Sequence, residues 1–305
     1  MAEHVKTSFV PHLGGIHVGY RYSFTGSSLP TLVLINPFTT TSDYYRPEFE
    51  SEQLADKFNI LAVEPLGHGA TQTNSETFTY WDSAIMIIQL LDVLGINQAF
   101  VAGTSQGGWI AARMALLSPK KVNGIILIGT SMDFESPESR ELGCWNGPQA
   151  TSALVTKSAD FRPHDDFEPG SGYIDFLMEI GYGEKVTPDL IQIWSKSIPK
   201  IYSGDVGKKL ICMAAVCLAS RDGLYARVPH IRCPVLWMQG TNDVVFSVAN
   251  AEKEIKMFTN APEAKLVVME GGVHFLSFTH GKELEKNILE FTEQWAAKLN
   301  GEYSD

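Results

Sequence analysis

The feature that most restricts the fold of this chain is an alternation of strand-like and helix-like segments over its first 130 residues. Continuous apolar runs of strand length alternate with stretches whose apolar residues recur at helical spacing. The strand-like segments are 15–24, in which apolar and polar residues alternate, and the apolar runs 31–38, 59–70, 98–105 and 122–131. The helix-like segments are 46–58, 79–96 and 106–119. Because parallel strands need a long crossover that is usually a helix, this order predicts an α/β fold with a mostly parallel central sheet flanked by helices.

The alternation stops after Thr130. Residues 131–230 contain amphipathic helical stretches, and no segment among them has a strand pattern of comparable strength. Two more strand patterns and a final helical pattern follow, at 233–243, 264–274 and 281–299. We therefore expect a core of residues 1–130 and 231–305, with a helical cap inserted at 131–230.

Composition excludes several classes of protein. Of the 305 residues, 44% are hydrophobic and 19% charged, as in ordinary globular chains. A net charge of −11 without a local Lys/Arg cluster argues against binding of nucleic acid. No window has the roughly 18 apolar residues that a membrane span needs, and the first residues lack a signal-peptide pattern, so we expect a cytoplasmic protein. The sequence has no metal-ligand spacing and no Gly-rich phosphate loop, so we expect neither a metal nor a cofactor.

A candidate nucleophile lies in "VAGTSQGGW", residues 101–109. Gly103 and Gly107 flank Ser105 in a Gly-x-Ser-x-Gly pattern, with a predicted buried strand before it and a predicted helix after it. A serine at this junction occupies a tight, strained turn that exposes its hydroxyl at the carboxyl end of the strands. The backbone N–H of Gln106 then lies at a helix N-terminus, where it can donate to a developing oxyanion.

A serine hydroxyl needs a general base, and the base needs an anionic partner. His274 follows the last predicted strand and is our preferred base; His68 and His280 are the alternatives. Asp243 follows the preceding strand and is our preferred acid, with Asp133 as the alternative. All these positions follow predicted strands or begin the last helix, so the sequence alone leaves the alternatives open.

The ordered set Ser105, Asp243 and His274 resembles the α/β-hydrolase superfamily over nearly the whole chain. The stretch "EPLGHGAT", residues 64–71, is similar to a structural turn of that family. The resemblance implies a serine nucleophile, an acid and a base at these three positions, and a helical cap at 131–230. One departure is Asn36-Pro37, where the family usually has His-Gly. Since Pro37 has no N–H, the resemblance implies Phe38 as the second oxyanion donor, beside Gln106.

These residues imply an acyl-enzyme on Ser105 and hydrolysis of a small to medium hydrophobic carboxylic ester or lactone. Candidate pocket residues are Thr39, Trp109, Trp145, Trp194 and Phe275. Alternatives on the same triad are cleavage of a carbon–carbon bond in a diketone and hydrolysis of an acyl thioester. An alternative of another class is a receptor that keeps the fold and binds ligand without turnover. The expected partner is a hydrophobic small molecule; a monomer and a homodimer both remain open.

Overall fold

The computed structural model describes residues 4–26, 28–160 and 162–302, and the side chains up to residue 298. Within these ranges the chain forms one sheet of nine strands. The strands are β1 (Lys6–Val10), β2 (Ile16–Ser23), β3 (Thr31–Ile35), β4 (Asn59–Val63), β5 (Gln72–Thr73), β6 (Ala99–Thr104), β7 (Val122–Ile128), β8 (Val235–Gly240) and β9 (Ala264–Met269). The strand order is β1-β2-β4-β3-β6-β7-β8-β9, and β5 pairs with β2.

The strands from β4 to β9 along this order are parallel, whereas β1, β2 and β5 pair antiparallel. The predicted α/β fold with a mostly parallel sheet is confirmed. Each predicted strand segment contains an observed strand, but β1 and β5 were not predicted. The apolar run 31–38 is strand only up to Ile35, because the chain turns at Asn36-Pro37.

Both faces of the central strands are buried, which explains their continuous apolar sequences. In β3, Leu32 and Leu34 lie in one apolar cluster, and Val33 and Ile35 lie in another on the opposite face. Helices cover each face, so neither face of the sheet centre contacts solvent. The carboxyl ends of the parallel strands therefore carry the loops that remain available for chemistry.

Helices occupy most of the remaining described residues. They are α1 (Arg46–Glu50), α2 (Glu52–Ala55), α3 (Tyr80–Val93), α4 (Gln106–Leu117), α5 (Pro137–Glu141), α6 (Gly147–Ala150), α7 (Ser152–Ser158), α8 (Ser171–Tyr182), α9 (Pro188–Tyr202), α10 (Gly204–Ala219), α11 (Val248–Glu254), α12 (Leu276–Thr279) and α13 (Gly281–Glu302). The segment 46–58 forms two short helices and not one, because Ser51 is extended (φ −77°, ψ 114°) and its side chain caps α2 through the Leu54 N–H. In the described ranges, every helix is too short or too polar to cross a membrane.

Helices α5 to α10 all lie between β7 and β8, in the segment predicted as a cap. Helix α8 packs closely on the loop after β9. A Cβ at Gly181 would lie 2.4 Å from the ring of Phe275, so only glycine allows this approach. The Phe275 N–H also donates to the Gly181 carbonyl over 2.8 Å. The segment therefore packs directly above the carboxyl ends of the strands. Its role as a separate cap remains a prediction.

Candidate active site

Ser105 lies at the junction of β6 and α4 in a strained conformation, with φ 54° and ψ −121°. This conformation is unusual for a residue with a side chain. The two flanking glycines are required by close backbone contacts: a Cβ at Gly103 would lie 2.1 Å from the Gly107 carbonyl, and one at Gly107 would lie 2.2 Å from the Ile35 carbonyl oxygen. The Ser105 N–H donates to the Ile128 carbonyl over 2.9 Å. The turn thus holds the serine where the strands end.

His274 and Asp243 are hydrogen-bonded to each other. Nδ1 of His274 lies 3.0 Å from Oδ2 and 3.1 Å from Oδ1 of Asp243. The two loops meet because β8 and β9 are paired up to Gly240 and Met269. Since the carboxylate accepts the Nδ1 proton, Nε2 of the neutral imidazole is left as an acceptor.

Other donors hold the Asp243 carboxylate in place. Its Oδ1 accepts the N–H groups of Val245 and Phe246 over 2.8 and 3.1 Å, and its Oδ2 accepts Nε2 of Gln239 over 2.8 Å. These donors lie within β8 and just after it. Residues close to Asp243 in the sequence therefore hold the carboxylate in place without any contribution from His274. These three hydrogen bonds restrict rotation of the carboxylate, so it keeps its orientation toward His274.

The alternative acid and bases lie in other environments. Asp133 accepts the Ser136 N–H through Oδ2 over 3.1 Å and so caps the turn that leads to α5. Nε2 of His280 lies 3.1 Å from the Glu270 carbonyl. Nδ1 of His68 lies 2.9 Å from the Leu66 carbonyl, and burial lowers the pKa of His68 to about 4. A histidine that burial keeps neutral is poorly suited to take a proton.

The loop after β3 contains the proposed second oxyanion donor. Its turn is held by Asn36, whose side-chain amide donates to the Thr40 carbonyl over 2.9 Å. Phe38 is half-buried, and its ring lies edge-on to His68 with 6.0 Å between centroids. Thr39 is buried at φ 56°, and its hydroxyl donates to the Phe38 carbonyl over 2.9 Å. Since Ile35 pairs with Gly103, this loop begins beside the Ser105 turn.

The side chain of Gln106 connects the two loops, a role that sequence reasoning missed. Its Nε2 donates to the Asn36 carbonyl over 3.3 Å and to Nε2 of His68 over 3.0 Å. Its Oε1 accepts the Tyr80 hydroxyl over 3.2 Å. No local pattern could reveal these bonds, because the partners come from three different parts of the chain.

The turn at residues 64–71 lies behind this network and is held by Glu64. Its Oε1 accepts the N–H and hydroxyl of Ser42 over 2.9 and 2.8 Å, and its Oε2 accepts the Ala70 N–H over 2.7 Å. Gly69, at φ 55°, lets the chain pass the carboxylate, since a Cβ there would lie 2.1 Å from Oε2. The turn therefore has a structural role in positioning His68.

A small cavity of about 30 Å³ lies over these groups. We call it the catalytic cavity. On its core side it is lined by Pro37, Phe38, Ser105, Val245, His274 and Phe275. On the side of the helical segment its lining includes Trp145, Leu154, Tyr173, Phe176, Leu177 and Leu218. Ser105 and His274 thus border the same small, mostly apolar space.

The five residues predicted to form the pocket lie in different places. Trp145 and Phe275 line the catalytic cavity. Trp109 and Trp194 instead lie in the packed interior: the Trp109 ring lies 5.3 Å from that of Phe246, and Nε1 of Trp194 donates to the Tyr182 hydroxyl over 2.8 Å. The hydroxyl of Thr39 is bonded within its loop and to Tyr173, 2.6 Å away. Across the described ranges, no three His, Cys, Asp or Glu side chains lie close enough together to bind a metal ion.

Several known proteins are similar to this chain in sequence or in structure. The chain is 25% identical over 280 residues to an uncharacterized hydrolase of Saccharomyces cerevisiae, covering 90% of this chain and 93% of that protein. It is 27% identical to 3-oxoadipate enol-lactonase 2 of Acinetobacter baylyi, covering 75% and 78% of the two chains. A thermophilic esterase from Thermogutta terrifontis has a similar structure, with a TM-score of 0.76, 18% identity and coverage of 95% and 99%.

A family model for the alpha/beta hydrolase fold matches residues 30–281. The match begins just before β3 and ends at the start of α13, so it includes every loop that borders the catalytic cavity. The mostly parallel sheet and the strand–turn–helix junction at Ser105 agree with this fold. This chain belongs to the α/β-hydrolase family.

Proposed function

We propose that this chain is a serine hydrolase that cleaves a small to medium hydrophobic carboxylic ester or lactone. The observation that carries the proposal is the buried Asp243–His274 hydrogen bond beside a cavity that Ser105 also lines. Because Ser105 and His274 border the same cavity, we take the free nitrogen of His274 as the base for a hydroxyl at a strained strand–helix turn. The mostly apolar lining of the cavity supports a hydrophobic substrate. The likeness to an enol-lactonase supports the lactone.

In the proposed reaction, Oγ of Ser105 attacks the substrate carbonyl while Nε2 of His274 takes the hydroxyl proton. Asp243 stabilises the resulting imidazolium through Nδ1. The N–H groups of Phe38 and Gln106 donate to the oxyanion of the tetrahedral intermediate. When this intermediate collapses, His274 returns the proton to the departing alcohol and an acyl group remains on Ser105. Water, deprotonated by His274, then releases the carboxylic acid and regenerates the serine.

The test is a stopped-flow measurement of nitrophenol release from a short-chain nitrophenyl ester. Wild type is compared with Ser105→Ala and with Ser118→Ala, a matched control just beyond the other end of α4. We expect release with wild type and Ser118→Ala, and none with Ser105→Ala. If Ser105→Ala keeps more than a few per cent of the rate, Ser105 is not the nucleophile.

The same assay separates the alternatives. An ester, a lactone, a thioester and a diketone of similar size are compared by their kcat/KM values. A preference for the diketone or thioester would replace the proposed reaction with another one on the same residues. Binding of all four without release, by a protein that unfolds cooperatively, would favour the receptor.

A further inference from the structure

A second cavity adjoins the catalytic cavity and shares part of its wall. This second cavity, which we call the vestibule, has a volume of about 260 Å³. Four residues line both spaces: Ala150, Leu154, Tyr173 and Phe176. The catalytic cavity is much smaller than the vestibule, about 30 against 260 Å³, so a substrate with a long chain must extend across this shared wall.

The vestibule is suited to an apolar chain. Its inner part includes Phe167 and Ile211, which continue the apolar lining of the catalytic cavity. Its charged members, Lys157 and Glu168, are exposed, and the Lys157 ammonium lies 5.4 Å from the centre of the Phe167 ring. Charge is therefore confined to the outer rim, where a chain would meet solvent.

Tyr173 is the member of the shared wall that also contacts the loop after β3. Its hydroxyl lies 2.6 Å from Oγ1 of Thr39. Since the Thr39 proton goes to the Phe38 carbonyl, the Tyr173 hydroxyl is the donor in this pair. The hydrogen bonds thus run from the wall of the vestibule to Phe38, the proposed oxyanion donor. They also hold Thr39 at φ 56°, a conformation that a β-branched residue rarely adopts.

We propose that the vestibule binds the acyl chain of the substrate and that Tyr173 is the residue that determines how long this chain can be. The inference rests on the proposed function. The acyl chain occupies the site in both half-reactions, first as part of the substrate and then as the ester of Ser105. The alcohol of an ester leaves after the first, so the acyl chain is the part that an enclosed site can hold throughout. An acyl chain enters the vestibule by displacing the Tyr173 ring. The hydrogen bond to Thr39 opposes that displacement and links it to the position of Phe38.

The test uses nitrophenyl esters from acetate to dodecanoate. We expect Tyr173→Ala to join the two cavities and raise the ratio of kcat/KM for long over short esters by about tenfold, since two buried methylene groups are worth roughly that factor. Tyr202→Phe is the control, because Tyr202 also links the helical segment to the core, through the Gly67 carbonyl 3.1 Å away, and lines neither cavity. A ratio within about twofold of wild type in Tyr173→Ala overturns the proposal.

The hydrogen bond is tested without removing the ring. Tyr173→Phe and Thr39→Val each abolish it and keep the side-chain shapes. We expect both to shift the length preference in the same direction, and the double variant to shift it no further, because each change removes the same interaction. Effects that add would show that the two hydroxyls act independently, which contradicts the link.

A binding measurement separates failure of this inference from failure of the proposed function. Carboxylates from acetate to dodecanoate are titrated calorimetrically into Ser105→Ala, with and without Tyr173→Ala. Affinity that depends on chain length, and changes with Tyr173, supports the vestibule even if no ester is hydrolysed. Hydrolysis with no dependence on chain length in either assay would reject the vestibule and leave the hydrolase.

Discussion

The side-chain amide of Gln106 donates a hydrogen bond to Nε2 of His68 over 3.0 Å. Nδ1 of His68 bonds the Leu66 carbonyl and must therefore carry the proton of the neutral ring. Nε2 is then the acceptor, so Gln106 is the donor. Burial lowers the pKa of His68 to about 4, so this arrangement persists near neutral pH. A second bond from Gln106 to the Asn36 carbonyl joins the loop after β3 to the turn at Ser105. Both proposed oxyanion donors thus depend on one side chain.

Replacing Gln106 with methionine keeps the length of the side chain and removes its hydrogen bonds. We expect kcat for a short nitrophenyl ester to fall by about tenfold to a hundredfold, with KM little changed, because the two donors lose their relative position. Steady-state kinetics measure this, with Gln98→Met, an exposed glutamine, as the matched control. An unchanged kcat would mean that the backbone alone positions the donors.

Asp243→Asn should lower kcat by about ten-thousandfold, because an amide favours the wrong tautomer of His274. Asp133→Asn is the matched control, since Asp133 also follows a strand but bonds the Ser136 N–H. Single-turnover kinetics compare the two variants. A large fall in kcat for Asp133→Asn with a small one for Asp243→Asn would identify Asp133 as the acid.

Arg221 and Glu135 form a buried ion pair, with side chains 3% and 1% exposed. The Arg221 guanidinium also lies 4.4 Å from the Trp109 ring centre, and Glu135 accepts Nε1 of Trp145 over 3.3 Å. Arg221→Met leaves a buried carboxylate without its cation, so we expect the free energy of unfolding to fall by about 3–5 kcal/mol.

Urea unfolding measures the effect of Arg221→Met. Arg227→Met is the control, because the Arg227 side chain is 51% exposed. Its replacement should lower the free energy of unfolding by less than about 1 kcal/mol. Equal stabilities of the two variants would show that Glu135 finds other partners.

Glu48 makes stability depend on pH. Burial raises the pKa of its carboxyl from 4.5 to about 7. The unfolded chain releases this proton at lower pH than the folded one, so the contribution of Glu48 is fully present below pH 4.5 and is lost as pH rises through 7. Between pH 4.5 and 7, we expect the free energy of unfolding of wild type to fall by up to about 3 kcal/mol relative to that of Glu48→Gln.

Urea unfolding at a series of pH values tests this. Glu50→Gln, an exposed substitution on the same helix, should follow wild type at every pH. Parallel curves for wild type and Glu48→Gln would refute a raised pKa at Glu48.

The strands at the centre of the sheet and the turn at Ser105 could be predicted from the sequence, because apolar runs and closely spaced glycines are local patterns. The apolar run 31–38 is typical of a strand buried on both faces, and Gly103 and Gly107 allow contacts that no Cβ would permit. Chain order after the strands also named Asp243 and His274, which the structure brings within hydrogen-bond distance. Their catalytic roles remain predictions.

The side chains that border the catalytic cavity could not be predicted, because packing between distant segments selects them. Trp109 and Trp194 have the same apolar character as Trp145, and sequence cannot distinguish a residue that packs inside from one that faces a cavity. The bond between Tyr173 and Thr39 joins positions 134 residues apart. Such contacts depend on how the helices pack against the sheet. That packing joins distant segments of the chain, and no local sequence pattern encodes it.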